Sequence, residues 1–193
     1  MKNKFLKKNT GFTLVETLVA ISIFSISILG VLSILASGIT NITYAKDKMI
    51  AGYLAQEGIE YMRNLRDNDA LFTSTTNTTW TTFTNAMTTS TSPNSICTSA
   101  NPCGFNSSSM PISIFNCGSD PSSGNNCKLY LTNGVYNDSS SSGAYSGFTR
   151  KIWMTLSTGV NGANEAIITS AVYWQQGSIL TNITLSDDLY SWE

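Results

Sequence analysis

The residues of this chain that can do chemistry fall in three places. The first is Glu16, the only charged side chain between residues 12 and 45, in a run otherwise apolar or small. A charge inside such a run costs roughly 2.5–3.5 kcal/mol on membrane-insertion scales, so it requires a partner of opposite sign. The second is a set of four cysteines, Cys97, Cys103, Cys117 and Cys127, able to cross-link or to bind a soft metal. The third is the adjacent pair Asp187 and Asp188, a candidate calcium ligand set. Against these stands one absence: the sequence contains no histidine. That removes Ser-His-Asp and Cys-His catalysis and every histidine-based metal site. The glycines form no phosphate-binding loop. No nucleophile with its base can be assembled, so no enzyme activity, cofactor or resident metal is expected.

The element that must position Glu16 is the apolar run to about residue 42. About 20 apolar residues cross the hydrocarbon core of a bilayer, so the run reads as a membrane-spanning helix. Lys2, Lys4, Lys7 and Lys8 precede it and place its start on the cytoplasmic side. Two other accounts of the N-terminus exist. A secretory signal peptide could end at Ala36-Ser37-Gly38, but the run before it exceeds the usual h-region of about 7–15 residues and contains Glu16. A permanent signal anchor explains the run but not the glycine–phenylalanine junction.

That junction carries a resemblance. Lys7-Lys8-Asn9-Thr10-Gly11-Phe12-Thr13-Leu14-Val15-Glu16 resembles the class III signal of type IV prepilins and pseudopilins, and the stretch 53–67 looks like the continuing stalk helix of minor pilins. The resemblance implies that a membrane-embedded prepilin peptidase cuts after Gly11 and methylates the new amino group on Phe12. It implies that Glu16 meets the N-terminal amine of a neighbouring subunit during assembly, neutralising two charges that would be costly apart. Partners implied are the peptidase, other pilin subunits through the N-terminal helix, the inner-membrane assembly platform, and the membrane before assembly. The implied location is a single-pass inner-membrane protein, head outside, that later enters an extracellular filament. Gly11 suits this role physically, because a residue without a side chain lets catalytic groups approach the backbone. Glu16, four residues after Phe12, is expected on the same helix face one turn away.

The helix should continue past the membrane, since no proline occurs before Pro93. From 12 to 67 it would be roughly 84 Å long at about 1.5 Å per residue. Ile50, Leu54, Gly58, Tyr61 and Leu65 fall on one stripe where a sheet would dock, with Gly58 allowing close approach and Glu60 and Arg63 paired off it. Many relatives of this kind carry a proline in the membrane half. Here only Gly30 and Gly38 weaken it locally.

From 71 to 147 the composition turns to Ser, Thr, Asn and Gly, with Asp120, Lys128 and Asp138 the only charges. This reads as a variable loop region, with a short turn at Trp80 and Phe83 capping the head. Cys97 and Cys103 enclose five residues, and Cys117 and Cys127 nine. Neither spacing is Cys-x-x-Cys, so zinc is disfavoured. Two disulfides are expected, preferably sequential because short loops close easily. From 148 to 193 the pattern is β. Phe148, Ile152, Met154 and Leu156 share a face of one strand, and Ala166, Ile168, Ser170 and Val172 a face of the next. A turn at 159–164 joins them. A hairpin at Gln175-Gln176-Gly177 leads to a third strand over 179–185, Leu189 and Trp192 pack back, and a fourth strand is possible at 128–132. Five Asn-x-Ser/Thr triplets, at Asn41, Asn77, Asn106, Asn137 and Asn182, follow from composition.

The expected organisation is a leader at 1–11, a transmembrane and filament-core helix at 12–42, an amphipathic stalk half at 43–70, the loop region at 71–147 and an antiparallel sheet at 148–193. This is an α+β, pilin-like fold. The expected function is a minor type IV pilin or pseudopilin that assembles into, primes or caps a filament. The alternatives are a filament-tip adhesin or binding module and a major pilin. A mature chain without the leader's four lysines is more acidic than the formal charge of −1, which argues against a nucleic-acid partner.

Overall fold

The computed structural model describes residues 11–72, 79–88, 97–106, 113–117, 127–138, 143–157 and 165–191. The leader lysines, Asn77, the turn expected at 159–164 and Trp192 lie outside these residues. The chain divides into two compact units, Met1–Ala45 and Lys46–Glu193.

From Leu14 onward the first unit is helix. α1 (Leu14–Phe72) begins there and supplies a span of mean hydropathy 2.6 with none of it buried within the protein. Its large apolar side chains, Ile23, Leu29 and Ile34 among them, face outward. Such a surface requires lipid or other helices around it. Several hydroxyls of the segment bond back to their own helix. Ser22, Ser25 and Ser27 donate to the carbonyls of Leu18, Ile21 and Ile23 at 2.7–2.8 Å, and Thr43 donates to Ile39 at 3.0 Å. Back-bonding of this kind lets polar residues sit in hydrocarbon without unpaired groups.

The second unit packs the rest of α1 against an antiparallel sheet. Its strands are β1 (Cys103–Asn106), β2 (Ser113–Asn116), β3 (Lys128–Thr132), β4 (Val135–Asn137), β5 (Ala144–Leu156), β6 (Glu165–Gln176) and β7 (Ile179–Tyr190). β5 is central. β6 pairs along one edge of it, from Phe148↔Trp174 to Leu156↔Ala166, and β7 pairs outside β6. β1 and β3 divide the other edge, and β2 and β4 lie outside them. A bulge sets β3 against β5, since Lys128 pairs with Thr149 but Tyr130 with Tyr145. Gly147 sits in that bulge at φ +90°, a conformation costly for any residue with a Cβ.

Two clusters form the core. One joins Ala51, Leu54 and Ala55 to Leu129, Phe148, Val172 and Trp174. The other joins Met62 to Trp80, Phe83, Met87, Phe105, Ile152, Met154, Ile168 and Leu189. The buried stripe of α1 is therefore centred on Ala51, Ala55, Gly58 and Met62, with Ile50, Tyr61 and Leu65 at its margins. The stripe is rotated from the one expected because alanines, inconspicuous by hydrophobicity, allow the closest contact with the sheet.

The region 71–147 has more structure than a loop. Trp80 and Phe83 belong to α2 (Thr79–Thr88), a helix with Met87 on the same buried face rather than a turn. β1 to β4 also lie here and extend the sheet. Cys97 joins Cys103 and Cys117 joins Cys127, with Cα separations of 5.2 and 5.3 Å. Sulfurs of both pairs are buried in or beside the core, so the cross-links replace apolar surface the composition does not supply. The last hairpin also differs from expectation. Gln175 and Gln176 belong to β6, and the loop is Gly177-Ser178. The third strand runs on through Asp187 and Asp188 to Tyr190.

A Cβ on Gly58 would lie 2.5 Å from Ser170 Oγ and 3.0 Å from Ile152 Cδ1. Gly58→Leu should therefore overpack the helix–sheet contact and destabilise the second unit by about 1–3 kcal/mol. Thermal unfolding followed by circular dichroism should show a lowered Tm. A Tm equal to that of the wild type would mean that α1 does not approach the sheet this closely.

Candidate functional site

The residues of the N-terminal signal have a defined local geometry. Gly11, Phe12 and Thr13 precede α1, which starts at Leu14. Gly11 is exposed with open space around its Cα, and Phe12 is 79% exposed. Thr13 stops the helix. Its carbonyl accepts from Thr17 N at 3.2 Å, and its Oγ1 accepts from Glu16 N at 3.3 Å. Thr13 is thus the N-cap and Glu16 the third helical residue, the Thr-x-x-Glu spacing of a capping box. Phe12 consequently lies outside the helix, and the expected shared helical face with Glu16 is not formed. The Thr-x-x-Glu spacing is readable in the sequence, inside the signal itself. An exposed carboxylate in the first turn also faces the positive end of the helix dipole.

The second constellation lies in the head and was not expected. Alternation along β5 puts Arg150 on the same inner face as Phe148, Ile152 and Met154. Its side chain is 1% exposed. Nη1 donates to Glu57 Oε2 at 2.7 Å and to the Leu54 carbonyl at 3.3 Å, both on α1. Cζ lies 4.0 Å from the centroid of Phe105 on β1, and Phe105 stacks on Tyr61 of α1 at 3.6 Å between centroids. Nη2 is 3.9 Å from Asp138 Oδ2, an electrostatic contact beyond hydrogen-bond reach. One guanidinium therefore connects α1, β1, β5 and the residue following β4. Burial pushes the Tyr61 hydroxyl up to about 12, against the pull of Arg150. The signal that could have found this site was the position of Arg150 in the inward register of a strand.

Asp187 and Asp188 point to opposite sides of β7. Asp187 Oδ2 accepts from Arg63 Nε at 3.0 Å and pairs with Nη2 at 2.9 Å, while Arg63 also pairs with Glu60. Asp187 thus joins the sheet edge to α1. Among the described residues no cluster of three His, Cys, Asp or Glu side chains could hold a metal ion. A groove of about 290 Å³ opens on the other face of the sheet, lined by Tyr145, Gly147, Thr149, Tyr173 and Leu180 among others.

A long apolar N-terminal helix, a C-terminal antiparallel sheet and two disulfides between them make an α+β, pilin-like layout. Residues 6–40 match the family model of the prokaryotic N-terminal methylation motif. The chain carries a type IV prepilin-like class III signal, and the motif supports a type IV pilin-type protein. It implies processing by a prepilin peptidase and assembly with other pilins, and the apolar helix fits the membrane anchor of a prepilin. No curated protein and no solved structure matches the chain.

Asp138 supplies a pH test of the head. Its side chain is 2% exposed, and burial raises its pKa to about 7, with Arg150 pulling it down and Glu57 adding to the rise. In the unfolded chain the group titrates near 3.8. Between these values the folded protein binds more protons than the unfolded one. The stability this group contributes is full below the lower value and lost as pH rises through the upper. Asp69, also raised by burial, acts in the same direction. The urea midpoint should fall between about pH 4 and about pH 7, and Asp138→Asn should make that fall shallower. An unchanged slope in the variant would place the dependence elsewhere.

Proposed function

We propose that this chain is a structural subunit, a minor type IV pilin or pseudopilin, that assembles into, primes or caps a type IV pilus-like filament. The observation that carries the reading is the junction itself. Gly11 and Phe12 lie exposed and outside the helix, Thr13 and Glu16 begin it, and residues 6–40 match the methylation motif. In this reading the peptidase cleaves after Gly11, methylates Phe12, and leaves a chain held in the inner membrane by residues 12–42 with its head outside. The assembly platform then extracts it into the filament.

Glu16 is the register device. One carboxylate in an apolar helix requires a cation, and cleavage creates one at Phe12. An amine on the next subunit neutralises the carboxylate and also fixes the stagger between subunits, a use for which buried ionic groups are well suited. A head with a long Ser/Thr/Asn-rich, disulfide-braced region fits a low-copy subunit better than a major pilin. The role is structural rather than catalytic.

Intact-mass measurement of the exported protein should give a chain that starts at methylated Phe12, and Gly11→Val should retain the leader. Glu16→Leu keeps a similar volume without the charge. It should leave cleavage and insertion intact and lower recruitment into sheared filaments. Wild-type recruitment of Glu16→Leu would refute the pairing, and an N-terminus other than Phe12 would refute the processing.

A further inference from the structure

The two ends of the sheet differ in chemistry. At one end lie the β3–β4 and β6–β7 hairpins, turning at Asn133-Gly134 and Gly177-Ser178, with the start of β5 between them. Large apolar side chains are exposed there: Ile179 at 70%, Val135 at 62%, and Leu131, Leu180 and Tyr145 at 42–50%. Tyr145 and Leu180 line the same groove, and Tyr145 meets Tyr130 edge-on at 6.1 Å. The nearby charge is cationic, with Lys128 Nζ 5.4 Å from the Tyr145 ring centroid. At the other end β6 begins and β7 finishes, and the carboxylates Glu165, Asp187 and Asp188 gather there.

The packing of α1 orients this polarity. Its residues 51–55 pack with Leu129, Phe148 and Trp174 near the hairpin end, and Met62 packs with Met154 and Ile168 toward the acidic end. α1 therefore meets the sheet first at its apolar end. Residues 46–53, which lead into that contact, expose Met49 and Tyr53 and carry Lys46 and Lys48 against Asp47.

We propose that the hairpin end of the sheet is a membrane-contact surface, seated in the headgroup region of an anionic bilayer while the chain is anchored. The inference rests on the anchor reading of residues 12–42. Tyrosine, exposed aliphatic tips and lysine form the composition that favours the interface between water and lipid. Anionic headgroups attract the lysines and repel the acidic end. The anchor keeps the surface at high effective concentration beside the bilayer, so a small apolar contact suffices. A protein partner could cover an apolar patch as well, but the segregation of charge along the sheet favours lipid.

The test uses the full chain in vesicles of phosphatidylethanolamine and phosphatidylglycerol. A photoreactive benzoylphenylalanine replaces Val135 or Ile179 at the hairpin tips, or Thr155, exposed at the acidic end. Mass spectrometry after irradiation should find lipid adducts at both tips and none above background at Thr155. Leu180→Asp should cut the Ile179 adduct. Adducts mainly to a second protein chain, equal lipid labelling at Thr155, or a floating chain with no lipid adduct at either tip would each overturn the proposal. Flotation of the same vesicles reports the anchor separately. A chain that does not float would overturn the anchor reading and the membrane surface with it.

Discussion

The head depends on how closely α1 can approach the sheet. Ala51, Ala55 and Gly58 line the contact face, and at Gly58 even one added carbon would strike Ser170. Small residues over these turns let inward side chains of β5 and β6 reach the helix backbone. Arg150 makes use of that proximity, since its guanidinium bonds the Leu54 carbonyl directly. A bulkier helix face would hold the sheet off, and Arg150 would then lose both its α1 partners. Steric and electrostatic constraints thus act on the same few residues.

Arg150 also shows why a buried charge can persist in this fold. Its desolvation is offset by Glu57, by a carbonyl, by the face of Phe105 and by the field of Asp138. The sharing is unequal. Glu57 keeps contact with water and lies within hydrogen-bond distance, whereas Asp138 is enclosed and lies farther away. The carboxyl of Asp138 consequently rises toward neutral pH, and only desolvation is strong enough to outweigh so near a cation. The arrangement joins segments far apart in sequence, and specificity of this kind is a better account of a buried ion pair than net stability.

Much of this was legible in the sequence, for identifiable reasons. The apolar run, its single carboxylate and the glycine before it depend on residue type alone. β5, β6 and β7 followed from apolar patterning and the turn residues between them, and Gly58 from its place on a helical stripe. What stayed hidden depended on tertiary context. Alanines gave no hydrophobic signal, so the true centre of the α1 stripe was displaced. β3 was legible at 128–132, but α2, β1, β2 and β4 lie in a region whose Ser and Thr content suggests loop, and their order comes from packing of α2 into the core, from strand pairing and from the two disulfides. Asp187 resembled a calcium ligand until the strand containing it was seen to run beside Arg63. Thr13 was part of a recognised signal, and its role as a helix cap became visible only with the backbone in place.

The two units solve one problem in opposite ways, and on the proposed function the difference bears on how such a chain would leave a membrane. In the first, apolar side chains face outward and each hydroxyl described above bonds to its own helix, so the segment needs only a nonpolar surrounding and no particular neighbour. In the second, the core is closed by cross-links and a central cation, so the fold does not depend on that surrounding. A helix with self-satisfied polar groups can exchange lipid for the helices of other subunits at little cost in hydrogen bonding. Glu16 is the exception, because its charge cannot be satisfied by its own backbone alone. On the proposed pairing, the residue that makes the segment expensive to keep in lipid is also the one that would favour its transfer to a partner carrying a matching amine.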